Sequence, residues 1–123
     1  MPVSADILEY AKDLFSGLGG VTMRRMFGAA GMYSYGVMFG LIDDDRIFLK
    51  TDEPLKAALA DEGSVSWIYT EAKGPKAGVP QETSYWSLPE AACDDPEEAC
   101  AWARKALAAA EAIKAAKPVR RKR

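Results

Sequence analysis

A chain of 123 residues with no histidine must do any acid–base or nucleophilic chemistry with carboxylates, lysines, tyrosines or its two cysteines. The missing imidazole removes the commonest general base, every Ser-His or Cys-His pair, and the usual nitrogen ligand of zinc. Cys93 and Cys100 are not in CxxC spacing, and two thiols alone make a poor four-ligand site, so both read as free thiols without a metal. Asp43, Asp44 and Asp45 could offer oxygens to a hard cation, but the calcium-loop spacing is absent and an acidic hairpin turn accounts for them. Neither GxxxxGK[ST] nor GxGxxG occurs, and "KGPKAG" lacks the strand-to-helix frame of a phosphate loop. The expectation is a protein that is not an enzyme and carries no cofactor.

What remains is recognition. In "VTMRRMFGAAGMYSYG", Arg24 and Arg25 are adjacent, so in a strand they face opposite sides and at most one joins a given patch. Either can engage a carboxylate or phosphate through its guanidinium. The same stretch also has a purely structural reading: Met26 and Phe27 anchor a strand in the core, while Gly28 and Gly31 permit a turn or bulge. Tyr85 and Trp86 also alternate across a strand, so one is expected to bury and the other to be partly exposed. These four residues are the candidate partner- or anion-binding positions. A basic tail, Lys117, Arg120, Arg121, Lys122 and Arg123, is the candidate for salt-sensitive contact with nucleic acid. No aromatic residue is interleaved with it, which argues against base stacking there.

The elements that position these groups follow from periodicity. Ser4 caps a first helix whose apolar positions Ile7, Ala11, Leu14, Phe15 and Leu18 keep the 3.6-residue period, and Gly19 and Gly20 end it. Strands are expected near 21–27, 31–35, 37–42 and 46–51, with Val37, Phe39 and Leu41 on one side and Met38, Gly40 and Ile42 on the other. The short turns between them favour antiparallel pairing. "TDEPLKAALADEG" reads as a helix, "VSWIYTEA" and "TSYWSL" as strands around the loop "KGPKAGVPQE". Asp95 and Pro96 open a last helix with Trp102, Ala103, Ala106, Ala110 and Ile113 on one face. The fold class expected is α+β: an antiparallel meander flanked by N-terminal, middle and C-terminal helices.

Residues 1–117 are expected to form one domain and 118–123 a disordered basic tail. Six of the sixteen basic residues fall in the last ten positions, leaving residues 1–113 with ten basic against eighteen acidic side chains. Any polyanion contact is thus expected to begin at the tail. The apolar runs are too short to cross a bilayer and the start lacks the pattern of a signal peptide, so the expectation is a cytoplasmic protein without a membrane partner.

"RRMFGAAGMYSYGVMFGLIDDDRIFLKTD", followed by "SYWSLPEAACDD" and a Trp-bearing, alanine-rich helix, closely resembles the amino-terminal domain of the TfoX/Sxy family, bacterial regulators of DNA transformation. The resemblance covers nearly all of residues 4–115. It implies an α+β domain without established catalytic residues, and a regulatory role in which a protein partner, a transcription activator, switches on competence genes. The better-known members carry a second, helical domain, and this chain stops where that would begin. It also has Ala29 and Ala30 where the family commonly shows glycine and an aromatic residue. The function expected is therefore a non-catalytic regulatory adaptor, with direct nucleic-acid binding through the tail as the alternative. The oligomeric state stays open, because sheet edges can be capped internally or paired between chains.

Overall fold

Local signals start each helix. In the computed structural model, which describes residues 4–26, 28–71 and 73–116, α1 (Ala5–Leu14) begins where the Ser4 hydroxyl accepts the Ile7 amide at 3.3 Å. Asp52 does the same for α2 (Glu53–Asp61), accepting the Leu55 amide at 3.0 Å with a proline in the first turn. For α3 (Pro96–Ala116), Asp95 Oδ1 accepts the amides of Glu97 and Glu98 at 3.2 and 3.3 Å. Each cap answers amides that the helix itself cannot pair.

Six strands, β1 (Val21–Met26), β2 (Ala29–Ser34), β3 (Val37–Asp43), β4 (Arg46–Lys50), β5 (Ser66–Thr70) and β6 (Pro80–Ser87), form one sheet in the order β1-β2-β3-β4-β6-β5. Every neighbouring pair is antiparallel. Tyr35 and Gly36 turn β2 into β3 with φ of 49° and 84°, and Asp44 and Asp45 turn β3 into β4 with 51° and 64°. Two consecutive positive φ values match the twist of tight hairpins, which is the use the acidic run finds here.

The helices share one face of the sheet. Leu14 and Phe15, Leu55 and Leu59, and Ala99, Ala103, Ala106 and Ala109 join Met32, Phe39, Ile42, Ile47 and Leu49 in a single buried cluster. Phe15 meets Phe39 edge to face, with centroids 5.3 Å apart. The small alanines of α3 let its backbone lie close over β3 and β4. The architecture is two layers, three helices on an antiparallel sheet, as an α+β class requires.

The first helix is shorter than its period suggested, since α1 stops at Leu14 and a 3-10 turn, Ser16–Leu18, carries the chain to Gly19. Three further details differ from the periodicity reading. β2 starts at Ala29, so Gly28 takes the turn (φ 79°) while Gly31 sits inside the strand opposite Arg24. β6 starts at Pro80, so the preceding loop ends at Val79. The third difference re-aims side chains. Met32 pairs with Gly40 and the next residue, Tyr33, pairs with Met38, which leaves Phe39 as an extra residue in β3. That bulge puts Phe39 and Ile42 together in the helix-side core, and Met38 and Leu41 together on the opposite face. Strict alternation would have grouped Phe39 with Leu41. A Cβ on Gly40 would collide with the Phe48 carbonyl oxygen and lie 2.7 Å from Met32 Cε, so the bulge is built around a residue without a side chain. The expected core anchor Phe27 and the tail 117–123 lie outside the described residues.

Candidate binding face

Among the described residues no helix covers the second face of the sheet, and its side chains are of a different kind. Cross-strand register places Arg24 and Met26 from β1 on this face, with Tyr33, Leu41, Phe48 and Tyr85 following on successive strands. Met26, Ala29, Met38, Leu41, Trp67, Tyr69 and Tyr85 line one cleft of about 540 Å³. A flat sheet would hold β1 and β5 roughly 24 Å apart across five strand spacings. That both edges line the same cleft means that the sheet is strongly coiled, its open face concave.

The coiling has a local cause in β6. Ser66 pairs with Trp86 but Ile68 with Glu82, so β6 gains extra length between its contacts with β5. Thr83 repairs the interrupted ladder: its hydroxyl donates to the Trp67 carbonyl at 2.8 Å and accepts the Tyr85 amide at 3.2 Å. Bulges bend the strand that carries them and increase its twist.

Inside the cleft the aromatic rings contact one another. Trp67 lies 5.5 Å from Tyr69, 6.2 Å from Tyr85 and 6.5 Å from Phe48, centroid to centroid. The Trp67 indole N–H donates to Asp43 Oδ2 at 2.8 Å, a charge-assisted bond that fixes the ring and gives the carboxylate a partner. Tyr85 reaches Met38 Sδ at 3.8 Å. Burial pushes the Tyr85 hydroxyl above its ordinary value of 10.0, with Tyr33 adding to the shift. Gly31 makes room for this packing, since a Cβ there would lie 2.6 Å from Met26 Cε and 3.1 Å from Met38 Cε. Cations stand over the rings at the margin: Lys50 Nζ is 5.0 Å from the Tyr85 centroid, and the Arg46 guanidinium 5.9 Å from that of Phe48.

The four sequence candidates do not form one site. Arg24 is exposed and shares the concave face with Met26, whereas Arg25 is directed to the opposite face by the alternation of β1. Tyr85 lines the cleft. Trp86 packs on the helix side against the core, with Lys56 Nζ from α2 5.7 Å from its ring. Met26, expected from the sequence to anchor the core, lines the cleft instead, because the alternation of β1 sets it on the open face with Arg24, and Met38, Trp67 and Asp43 were not singled out as cleft residues. The signal available was the density of Met and aromatic residues at alternate positions, but the two bulges hide which of them share a face.

A second, more polar cleft of about 580 Å³ lies between α1, the end of α2 and the turn before α3, lined in part by Tyr10, Arg46, Glu62, Ser64, Glu90 and Cys93. Burial and the nearby carboxylates of Glu90 and Asp94 push the Cys93 thiol up against the opposing pull of Arg46, which works against thiolate formation. Cys100 is buried and points its thiol at the Leu14 carbonyl, 3.6 Å away. Among the described residues no three carboxylate or cysteine side chains gather to hold a metal ion, and no helix is long and apolar enough to cross a membrane.

With this architecture in view, the sequence matches the TfoX N-terminal domain family over residues 13–110. The chain belongs to that family. The match spans the end of α1, all six strands, α2 and most of α3, so the concave face lies wholly within the family domain. No curated protein matches the chain.

Proposed function

We propose that this TfoX-like domain is a non-catalytic regulatory adaptor that acts by protein contact with the transcription machinery, receiving an apolar segment of its partner in the concave face of the sheet. One observation carries the reading: an aromatic and methionine-lined cleft lies open on a sheet whose other face is sealed by three helices. Its volume falls within the range of ligand-sized sites, and methionine and tryptophan are residues that contact surfaces favour. Three of the polar side chains lining it are already engaged, Asp43 with Trp67, Tyr85 with Met38, and Thr83 with the backbone of Trp67 and Tyr85, rather than aimed at a common reacting point. Family membership supports the regulatory assignment, and the competence role implied by the TfoX/Sxy resemblance belongs to the same proposal.

The test compares affinity capture from the source organism by the wild-type chain, by Met38→Lys, and by an Ala57→Lys control on the exposed side of α2. Recovery of a component of the transcription apparatus by wild type and control, lost in Met38→Lys at unchanged melting temperature and reproduced with purified proteins, is the expected result. Equal recovery by all three would move the contact away from the cleft. Recovery of nucleic acid alone, falling steeply with salt, would replace the adaptor reading with direct nucleic-acid binding.

A further inference from the structure

The sheet has two edges, and their chemistry differs. β1 carries Arg24 and Arg25 side by side, and centring that strand on a copy of itself would bring like charges together, a common guard against edge pairing. β5, Ser66-Trp67-Ile68-Tyr69-Thr70, carries no charge and no proline. Of the large apolar side chains that remain exposed among the described residues, Ile68, half exposed at 51%, lies in this strand, Val65 directly precedes it, and Val79 directly precedes its partner β6.

The β5 sequence is also chemically palindromic about Ile68: hydroxyl, aromatic, aliphatic, aromatic, hydroxyl. A two-fold interface demands that a patch be complementary to itself. Antiparallel pairing centred on Ile68 meets that demand at every position, setting Ser66 against Thr70 of the second copy, Trp67 against its Tyr69, and Ile68 against its Ile68. The backbone agrees with this register. The Trp67 carbonyl faces inward to accept the Thr83 hydroxyl at 2.8 Å, so the alternation of the strand turns the amide and carbonyl of Ile68 outward, as a hydrogen-bonded Ile68 pair on the axis requires.

We propose that β5 is a self-association strand and that its partner is a second copy of this chain, paired antiparallel about a two-fold axis through Ile68. The pairing joins two six-stranded sheets into one of twelve strands. It sets Trp67 and Tyr69 of each copy across the axis at non-hydrogen-bonded positions, where side chains approach most closely. Both residues line the concave cleft, so the two clefts meet at the axis in a continuous aromatic floor. The proposal stands apart from the adaptor reading, since a homodimer needs no other partner.

Sedimentation velocity of the full chain over a wide concentration range tests it, using Ile68→Lys and Ile68→Glu. Residue 68 faces its own counterpart only in this register, so each variant places like charges on the axis and a mixture places opposite ones there. The wild type is expected to dimerise, each variant alone to associate about tenfold more weakly or worse, and the mixed variants to recover the dimer. Both variants should keep the wild-type circular dichroism spectrum at concentrations low enough that every form is monomeric, because the Ile68 side chain is half exposed. A wild type that stays monomeric throughout, a dimer that survives Ile68→Lys, or a mixture that remains monomeric would each overturn the proposal.

Discussion

The two faces of one sheet differ in what covers them and in the side chains they carry. On the covered face Met32, Phe39, Ile42 and Leu49 are fully buried beneath the helices, and their side chains carry no hydrogen-bonding group stronger than a thioether. On the concave face Trp67, Tyr69 and Tyr85 are only half-buried, pack chiefly on each other, and carry polar ends. A covered face holds the fold together by removing apolar area from water, whereas an open one leaves part of that area at the surface. Methionine marks the contrast within one residue type: Met32 is sealed on one side, and Met26 and Met38 line the cleft on the other.

The contrast can be broken most severely at the core. Phe39→Ala removes the ring that meets Phe15 and is expected to cost about 3–5 kcal/mol in denaturant unfolding. Gly40→Ala forces a Cβ toward the Phe48 carbonyl and Met32, for an expected loss of about 1–3 kcal/mol in the same measurement. Trp67→Phe keeps an aromatic ring in the cleft but leaves the half-buried Asp43 without its indole donor, so a loss of about 1 kcal/mol is expected. A core-sized loss from that variant would mean that the concave face is structural in the same sense as the covered one.

The smallest effect is one of pH. The Tyr85 hydroxyl is raised in the folded chain, first by burial and then by Tyr33, so the native state holds this proton more tightly than the unfolded chain does. Its contribution is fully present below the ordinary tyrosine value of 10.0 and is lost as pH rises from there through the higher folded value. Tyr85→Phe should therefore flatten part of the alkaline fall in stability, measured by denaturant titrations at neutral pH and above pH 10, while leaving the neutral value little changed.

Much of the chain was legible because its signals are local. Ser4, Asp52 and Asp95 accept the amides their positions imply, and the hairpin residues Gly36, Asp44 and Asp45 adopt the turn geometry their types favour. The site was harder to read because its geometry is not local. One extra residue at Phe39 reverses the facing of Phe39 relative to Leu41, and the slip of β6 between Trp86 and Glu82 bends the sheet until β1 and β5 share a cleft. A period of two cannot show a bulge, because the bulge is selected by what packs on either side of it. Tyr85 and Trp86 were correctly seen as lying on opposite faces, but which face is open is decided by the placement of three helices that pack from elsewhere in the chain.

The methionines allow the central distinction to be measured in one experiment. With the methyl groups labelled for NMR and the captured partner titrated in, Met26 and Met38 should shift or broaden while Met23 and Met32, on the helix side, stay in place. That pattern is the one expected of a concave contact face. Perturbation of Met23 and Met32 alone, or binding that leaves Met26 and Met38 unmoved, would contradict it.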